Sequence, residues 1–255
     1  MRWIAITCIL TLVSMLAYAA QKVVLYSDQE NPPYAFVENG QSTGIYSELI
    51  RRAALRLAPE YEVEILPIGW KEGLAAVEHG RVMGLIGVYM RPERLYMQPY
   101  SVPLFRESAV LLCHNTLFNR PRKQFPVDFI GITVANNQGF LMSEQLMAAV
   151  KAGQIKLEDA RGNETNVQKL NQHQVDCYTN DRLAILYTVK QLQRSGALTQ
   201  FYAHEALELS SENTYIGYTR YDFPYKADFI TKLNAAIQAE QKLNAVDKLI
   251  ALYTH

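Results

Sequence analysis

Residues 61–88, YEVEILPIGWKEGLAAVEHGRVMGLIGV, decide the fold class. Tyr61-Glu62-Val63-Glu64-Ile65 alternates apolar and polar residues, the period of a half-buried strand. Trp70 to Glu78 reads as a helix, and Gly80 closes it. Val82 to Val88 is an almost unbroken apolar run, the mark of a strand covered on both faces. A strand, a helix and a second strand in succession predict parallel strands with a helix packed across them.

The same alternation extends both ways. On the N-terminal side, Val23 to Tyr26 is a short apolar strand, and Ser27 to Pro33 is a loop rich in turn formers. Gly44 precedes a helix with Ile45, Leu49, Ala53 and Leu57 on one face, and Pro59 stops it. Beyond Pro103 the pattern begins again. Strands are predicted at Ala109–Cys113, Ile130–Ala135, Ile155–Ala160, Gln174–Thr179 and Tyr215–Thr219. Helices are predicted at Ser143–Lys151, after an Asn163 cap, at Asp181–Arg194 and over Tyr225–Tyr253. Arg120-Pro121-Arg122-Lys123 is a basic turn in solvent. Two blocks of alternating strands and helices predict an α/β protein of two lobes, each a mostly parallel sheet flanked by helices.

The N-terminus has the order of a secretory leader. Arg2 supplies positive charge, Ile4 to Leu16 an apolar stretch, and Ala17-Tyr18-Ala19 the small residues before a cut. The apolar stretch is shorter than the ~20 residues that span hydrocarbon, and Cys8 lies inside it rather than after a cleavage site. Cleavage after Ala19 is expected, giving a soluble periplasmic protein. Basic and acidic residues number 25 each, so nothing points to nucleic acid. The mature chain keeps Cys113 and Cys177, a disulfide candidate in an oxidising compartment, with two buried free thiols as the alternative. Neither has metal-ligand spacing to the scattered histidines, and no cofactor is expected.

Ligands of open α/β sheets sit beyond the carboxyl ends of strands. That directs attention to Asp28–Tyr34, Gly87–Arg94 and Asn180-Asp181. Arg94 follows the third strand and could hold a carboxylate in two parallel hydrogen bonds. Arg91 either shares that role or pairs with a surface glutamate. Asp181 begins a helix directly after a strand, where it either caps the helix or receives a ligand ammonium. Tyr34, Trp70 and Tyr89 offer flat walls with polar tips, and Asp28 and Gly139 lie in adjoining turns.

Taken together, these stretches resemble the family 3 extracellular solute-binding proteins, receptors for polar amino acids. The resemblance runs through Asn31-Pro32-Pro33-Tyr34-Ala35-Phe36, Gly44 to Leu49, Trp70 to Gly80, Arg91-Pro92-Glu93-Arg94 with Tyr100-Ser101-Val102-Pro103, Ile132 to Gly139, and Val175 to Asp181. It implies a type II periplasmic binding protein-like fold with two hinge crossings, near Arg106–Ala109 and Glu212–Ile216. Residues 1–19 would be the leader, 20–107 with 215–255 lobe I, and 108–214 lobe II. It also implies that Arg94 grips a ligand α-carboxylate and Asp181 its ammonium, with Asp28, Tyr34, Trp70, Tyr89, Arg91 and Gly139 around them. Several positions depart from the family: Met83 replaces its aspartate, Arg91 its threonine, and Gly87, Tyr89, Phe140 and Leu141 its usual small hydroxyl residues. The expected function is capture of a zwitterionic or anionic solute by hinge closure, as a monomer, with delivery to an ABC-type permease or presentation to a membrane receptor. The competing reading is a dehydratase-like enzyme on the same fold. The implied strand order puts Cys113 and Cys177 on neighbouring strands, where a disulfide is open but not favoured, because a bond demands a Cβ separation of about 3.5–4.5 Å.

Overall fold

The computed structural model describes residues 19–139 and 142–255; residues 1–18, on which the expected leader falls, and Phe140 and Leu141 lie outside the described residues. The chain opens with β1 (Gln21–Asp28), in which Val23, Leu25 and Ser27 point inward at the period of a strand. A small antiparallel sheet follows, formed by β2 (Glu30–Asn31), β3 (Ala35–Glu38) and β4 (Gln41–Thr43). The turn-rich loop expected there thus contains a strand, held because Glu30 and Asn31 pair with Phe36 and Ala35. Helix α1 (Ile45–Leu55), β5 (Tyr61–Ile68), α2 (Trp70–Glu78) and β6 (Gly84–Tyr89) complete the βαβ pattern. Next come β7 (Met97–Tyr100), β8 (Phe105–His114), β9 (Thr133–Asn137), α3 (Glu144–Lys151) and β10 (Lys156–Ala160). The chain ends with α4 (Asn163–Asn171), β11 (Cys177–Asp181), α5 (Arg182–Arg194), the long β12 (Ala203–Thr219), α6 (Lys226–Lys242) and α7 (Ala245–Thr254).

The large strands form one curled mixed sheet in the order β10-β9-β11-β8-β12-β6-β1-β5, with β7 also paired to β12. At one end β1 runs parallel to β5 and β6; at the other β9 runs parallel to β10 and β11. Between them β8 and β12 lie antiparallel to each other and to their outer neighbours β11 and β6. The stretches expected as crossings fall in this central pair, where Arg106 sits opposite Asn213 and Ala109 opposite Ser210. Helices pack on both faces, and the parts of the inner strands that they cover, such as Leu85–Ile86 of β6 and Val110–Cys113 of β8, are apolar and buried. In β8, Val110 and Leu112 pack with Tyr178 and Ile185, while Leu111 and Cys113 pack with Val134 and Phe129 on the opposite face. A separate core joins Leu25, Ile45, Leu49, Ile216, Phe229 and Leu233 around α1, β1 and α6.

Three expectations need correction. Cys113 and Cys177 form a disulfide: they face each other in the β8–β11 register, which brings their Cα atoms to 4.0 Å. The C-terminal helix is two helices, because Asn244 adopts a left-handed conformation at φ 55° and turns the chain. Asn163 is the first residue inside α4 rather than its cap; Gly162 takes the cap position and the Asn163 side chain serves elsewhere. Among the described residues no helix is long and apolar enough to cross a membrane.

Candidate functional site

The loops after β1, β6 and β11 do converge. Asp181 closes β11 and caps α5, its Oδ1 accepting the backbone N–H of Ala184 at 2.9 Å. The same Oδ1 accepts the Tyr34 hydroxyl at 2.8 Å, a bond between residues 147 apart in sequence. Tyr34 is buried and stacks on Tyr46 with ring centroids 5.0 Å apart, and lies 6.0 Å from the Phe105 ring. Tyr46 donates its hydroxyl to Oε1 of Glu107, and Tyr89 donates to Oε2 of the same carboxyl. The Tyr89 carbonyl in turn accepts from Arg94 at 3.3 Å. One unbroken chain of contacts therefore runs from Arg94 through Tyr89, Glu107, Tyr46 and Tyr34 to Asp181.

Local backbone geometry makes this possible. Gly87 interrupts β6 at φ +80°, and a Cβ there would come within 2.9 Å of the Tyr46 ring. The position that lacks the family's hydroxyl is thus the one that lets a tyrosine in. Gly44, at φ +103°, brings the start of α1 so close to the Tyr34 carbonyl that a Cβ would sit 2.6 Å from its oxygen. That close approach sets Tyr46 under Tyr34.

The cluster is electrically unbalanced. Glu107 and Asp181 are largely buried, and neither forms an ion pair with a described Lys, Arg or His. Burial, then repulsion from Asp181, pushes the Glu107 carboxyl up to about 7, against the opposing pull of its bonds from Tyr46 and Tyr89. Burial also raises the Asp181 carboxyl above its ordinary value, although Ala184 and Tyr34 hydrogen-bond to it. Asp181 Oδ2 is closed off from solvent and makes no hydrogen bond of good geometry, although the Ser108 and Leu183 backbone N–H groups also lie close enough to favour the charged carboxyl. Burial pushes the Tyr34, Tyr46 and Tyr89 hydroxyls well upward, so all three stay protonated donors.

The remaining candidates divide. Arg94 also lies over the Trp70 ring, 5.8 Å from its centroid, which ties Trp70 to the cluster at the start of α2. Arg91 pairs with Glu212 and stacks on Tyr89 at 4.8 Å, so its guanidinium is engaged by the protein. Asp28 sits at the end of β1, where its Oδ1 accepts the Glu30 N–H at 3.1 Å and burial raises its carboxyl. Gly139 follows β9 at φ +83°, with open space where a side chain would stand. Glu107 and Tyr46 were not among the expected site residues. A glutamate two residues after Phe105 in a strand that turns apolar from Ala109 is the signal that could have found the first.

Beside β11 lies a second buried polar group. Asn163 Oδ1 accepts from Asn137 at 2.5 Å, Asn180 at 2.9 Å and Tyr178 at 3.1 Å. Asn166 donates to Asn137 Oδ1 at 2.6 Å. Two open grooves lie elsewhere on the surface, about 490 Å³ between Tyr26, Ile68 and Ala75 with Lys71, Glu72 and Arg81, and about 410 Å³ lined mainly by apolar residues such as Leu55, Pro59 and Val63 with Arg51 and Glu62.

Solved structures share this architecture. The second substrate binding domain of a putative amino acid ABC transporter from Streptococcus pneumoniae is 19% identical, with TM-score 0.72, covering 91% of this chain and 100% of that one. Substrate binding domain 2 of Lactococcus lactis GlnP, in an open conformation, is 18% identical, with TM-score 0.73 over 92% and 95% of the two chains. The GluR0 ligand binding core, solved with L-glutamate, is 19% identical, with TM-score 0.63 over 94% and 100%. At these identities the likeness establishes the fold alone, the type II periplasmic binding protein-like fold. No curated protein matches the chain in sequence. The family model for bacterial extracellular solute-binding proteins, family 3, matches residues 23–254. Nearly the whole described chain thus carries the family pattern, and the protein belongs to the family 3 bacterial extracellular solute-binding proteins.

Proposed function

We propose that this protein is a periplasmic receptor, exported by its leader, that captures a small ammonium-bearing solute, in the first place a polar amino acid, by hinge closure. The observation that carries this reading is the Tyr34–Asp181 hydrogen bond, with Asp181 Oδ2 left without a well-formed hydrogen bond beside it. It joins the end of β11 to the loop after β1, across the central β8–β12 pair. Residues 20–107 with 215–255 form lobe I, and 108–214 form lobe II. A solute touching both lobes only when they close has the differential affinity that closure requires. Asp181 receives the ammonium, and Arg94, which makes no ion pair with a described carboxylate, holds the carboxylate. The expected partner is a membrane permease of the ABC type, which the monomeric receptor serves as a delivery subunit.

Calorimetric titration with the common amino acids tests the reading. Arg94→Ala should abolish binding of any α-amino acid while leaving the melting temperature nearly unchanged, since its described contacts are a single carbonyl and a ring face. Unchanged affinity would show that the assigned site is wrong. Glu107, buried between two tyrosines and titrating near neutrality, has the character of a proton-transfer group. Conversion of a bound solute, followed by its own NMR spectrum, would therefore move the reading to an acid–base enzyme.

A further inference from the structure

We infer that α7 is an interlobe latch: its last turn fastens α5 of lobe II to lobe I and holds the two lobes together without solute. The inference rests on the receptor reading and its division into lobes, and adds a control of closure to it.

Helix α5 belongs to two cores at once. Ile185, Val189 and Leu192 pack in lobe II with Val110, Val167 and Tyr178. Leu183 and Leu186 pack instead with Ile45, Leu49 and Leu249 of lobe I. Leu183, Leu186, Tyr187 and Lys190 recur at spacings of three and four, so they share one face of the helix. Farther along that face the contacts reach α7. The Tyr187 ring lies 5.8 Å from that of Phe36 in β3, and Phe36 meets Tyr253 of α7 edge-on at 5.9 Å. About one turn on, the largely buried Lys190 donates from its ammonium to the Leu252 carbonyl at 2.8 Å. That carbonyl lies in the last turn of α7, where carbonyls lack a partner within the helix and the helix dipole favours a positive charge.

The same turn is fixed to lobe I on its other side. The Tyr253 hydroxyl accepts the Gly44 N–H at 3.1 Å and lies 2.9 Å from the Thr43 hydroxyl, directly before α1. A helix that served only the core of lobe I would pack on α1 and α6 alone; α7 packs on α5 as well. The contact is also of a kind that can part. An ammonium, a carbonyl and aromatic edges regain water when separated, as in the polar interfaces between mobile domains. Helix α5 starts at Asp181, and the Gly44 turn sets Tyr46 under Tyr34, so the latch bears on both sides of the candidate site. Lobes held together in advance lower the conformational cost of capture, and loosening the latch weakens every solute alike.

The test is small-angle X-ray scattering on the solute-free protein, for the wild type, for Lys190→Met and for Tyr187→Ala with Lys190→Met. The wild-type curve should be that of lobes in contact. In the double variant the ratio of open to closed protein should rise about tenfold or more, read as a larger radius of gyration. Lys190→Met alone should move the ratio the same way by about threefold. A wild-type protein that is open without solute overturns the latch. So does a variant, folded by circular dichroism, that scatters like the wild type. The single variant and the wild-type curve decide even where the double variant fails to fold. Neither result depends on which solute binds, so the titration with amino acids judges the receptor reading separately.

Discussion

Two buried polar clusters flank β11, and they are built on opposite plans. The amide cluster of Asn137, Asn163, Asn166, Asn180 and Tyr178 is neutral, and its donors and acceptors mostly meet one another. The tyrosine–carboxyl cluster of Tyr34, Tyr46, Tyr89, Glu107 and Asp181 carries two acids, no described counter-charge and a closed-off Asp181 oxygen without a well-formed hydrogen bond. The amide cluster too has an orphan, Asn166 Oδ1, but a neutral amide oxygen costs far less to bury alone than a carboxylate. A network that satisfies itself fastens elements together. One that is short of positive charge waits for something from outside. The comparison teaches that burial of polar groups alone does not single out a site; the proposed site differs from the amide cluster in its imbalance of charge.

The comparison breaks most readily at Asp181. Asp181→Asn should weaken amine binding by about 2–5 kcal/mol, a loss of about thirtyfold or more in calorimetric affinity, with the melting temperature changed far less because an asparagine still caps α5. Retained affinity would erase the functional contrast between the clusters.

On the amide side the effects should reverse. Asn166→Ala removes bonds to Asn137 Oδ1 and the Gly162 carbonyl from a fully buried residue. Urea denaturation should show a loss of about 2–3 kcal/mol, with ligand affinity unchanged when measured on the folded fraction. A drop in affinity without a drop in stability would place the amide cluster inside the binding site.

Acidity sharpens the contrast further. Glu107 holds its proton more tightly folded than unfolded, with a folded value of about 7 against an ordinary glutamate value. Between those two values the unfolded chain has lost the proton that the folded chain keeps. Stability without ligand should therefore fall as pH rises from about 4.5 to 7 and level off above, by at most about 3 kcal/mol from this group. Glu107→Gln should flatten that slope in denaturation curves taken across the range, while Asn166→Ala should leave it intact.

The smallest expected effect is at Arg91. Its guanidinium is already held by Glu212 on the surface, so Arg91→Lys should shift affinity and stability by about 1 kcal/mol or less in the same titrations. A large loss of affinity there would bring Arg91 into the site.

How much of this was legible in the sequence differs by level. The βαβ reading of residues 61–88 agrees with the structure almost residue by residue, because an apolar run flanked by a helical pattern leaves a strand few alternatives. Asp181 was found by position, as the residue between a strand and a helix, and the structure puts it there. The disulfide is not legible in the sequence, because the β8–β11 register that brings Cys113 opposite Cys177 depends on pairing across 64 residues of chain. Asn163 was misplaced for a like reason. Its local preference for a cap lost to three donors arriving from β9 and β11.

By itself the sequence determined the α/β class, the order of the elements and the family pattern from residue 23 to 254, since these follow from local periodicity and short motifs. Only the tertiary structure decided that Tyr34, Tyr46, Tyr89, Glu107 and Asp181 share one cluster with an excess of negative charge. Those residues come from five separated places in the chain, and their chemistry is a property of the distances between them. Spacing along the sequence sets which face of a strand a carboxyl occupies. Folding alone sets whether a second carboxyl, or a lysine, stands beside it.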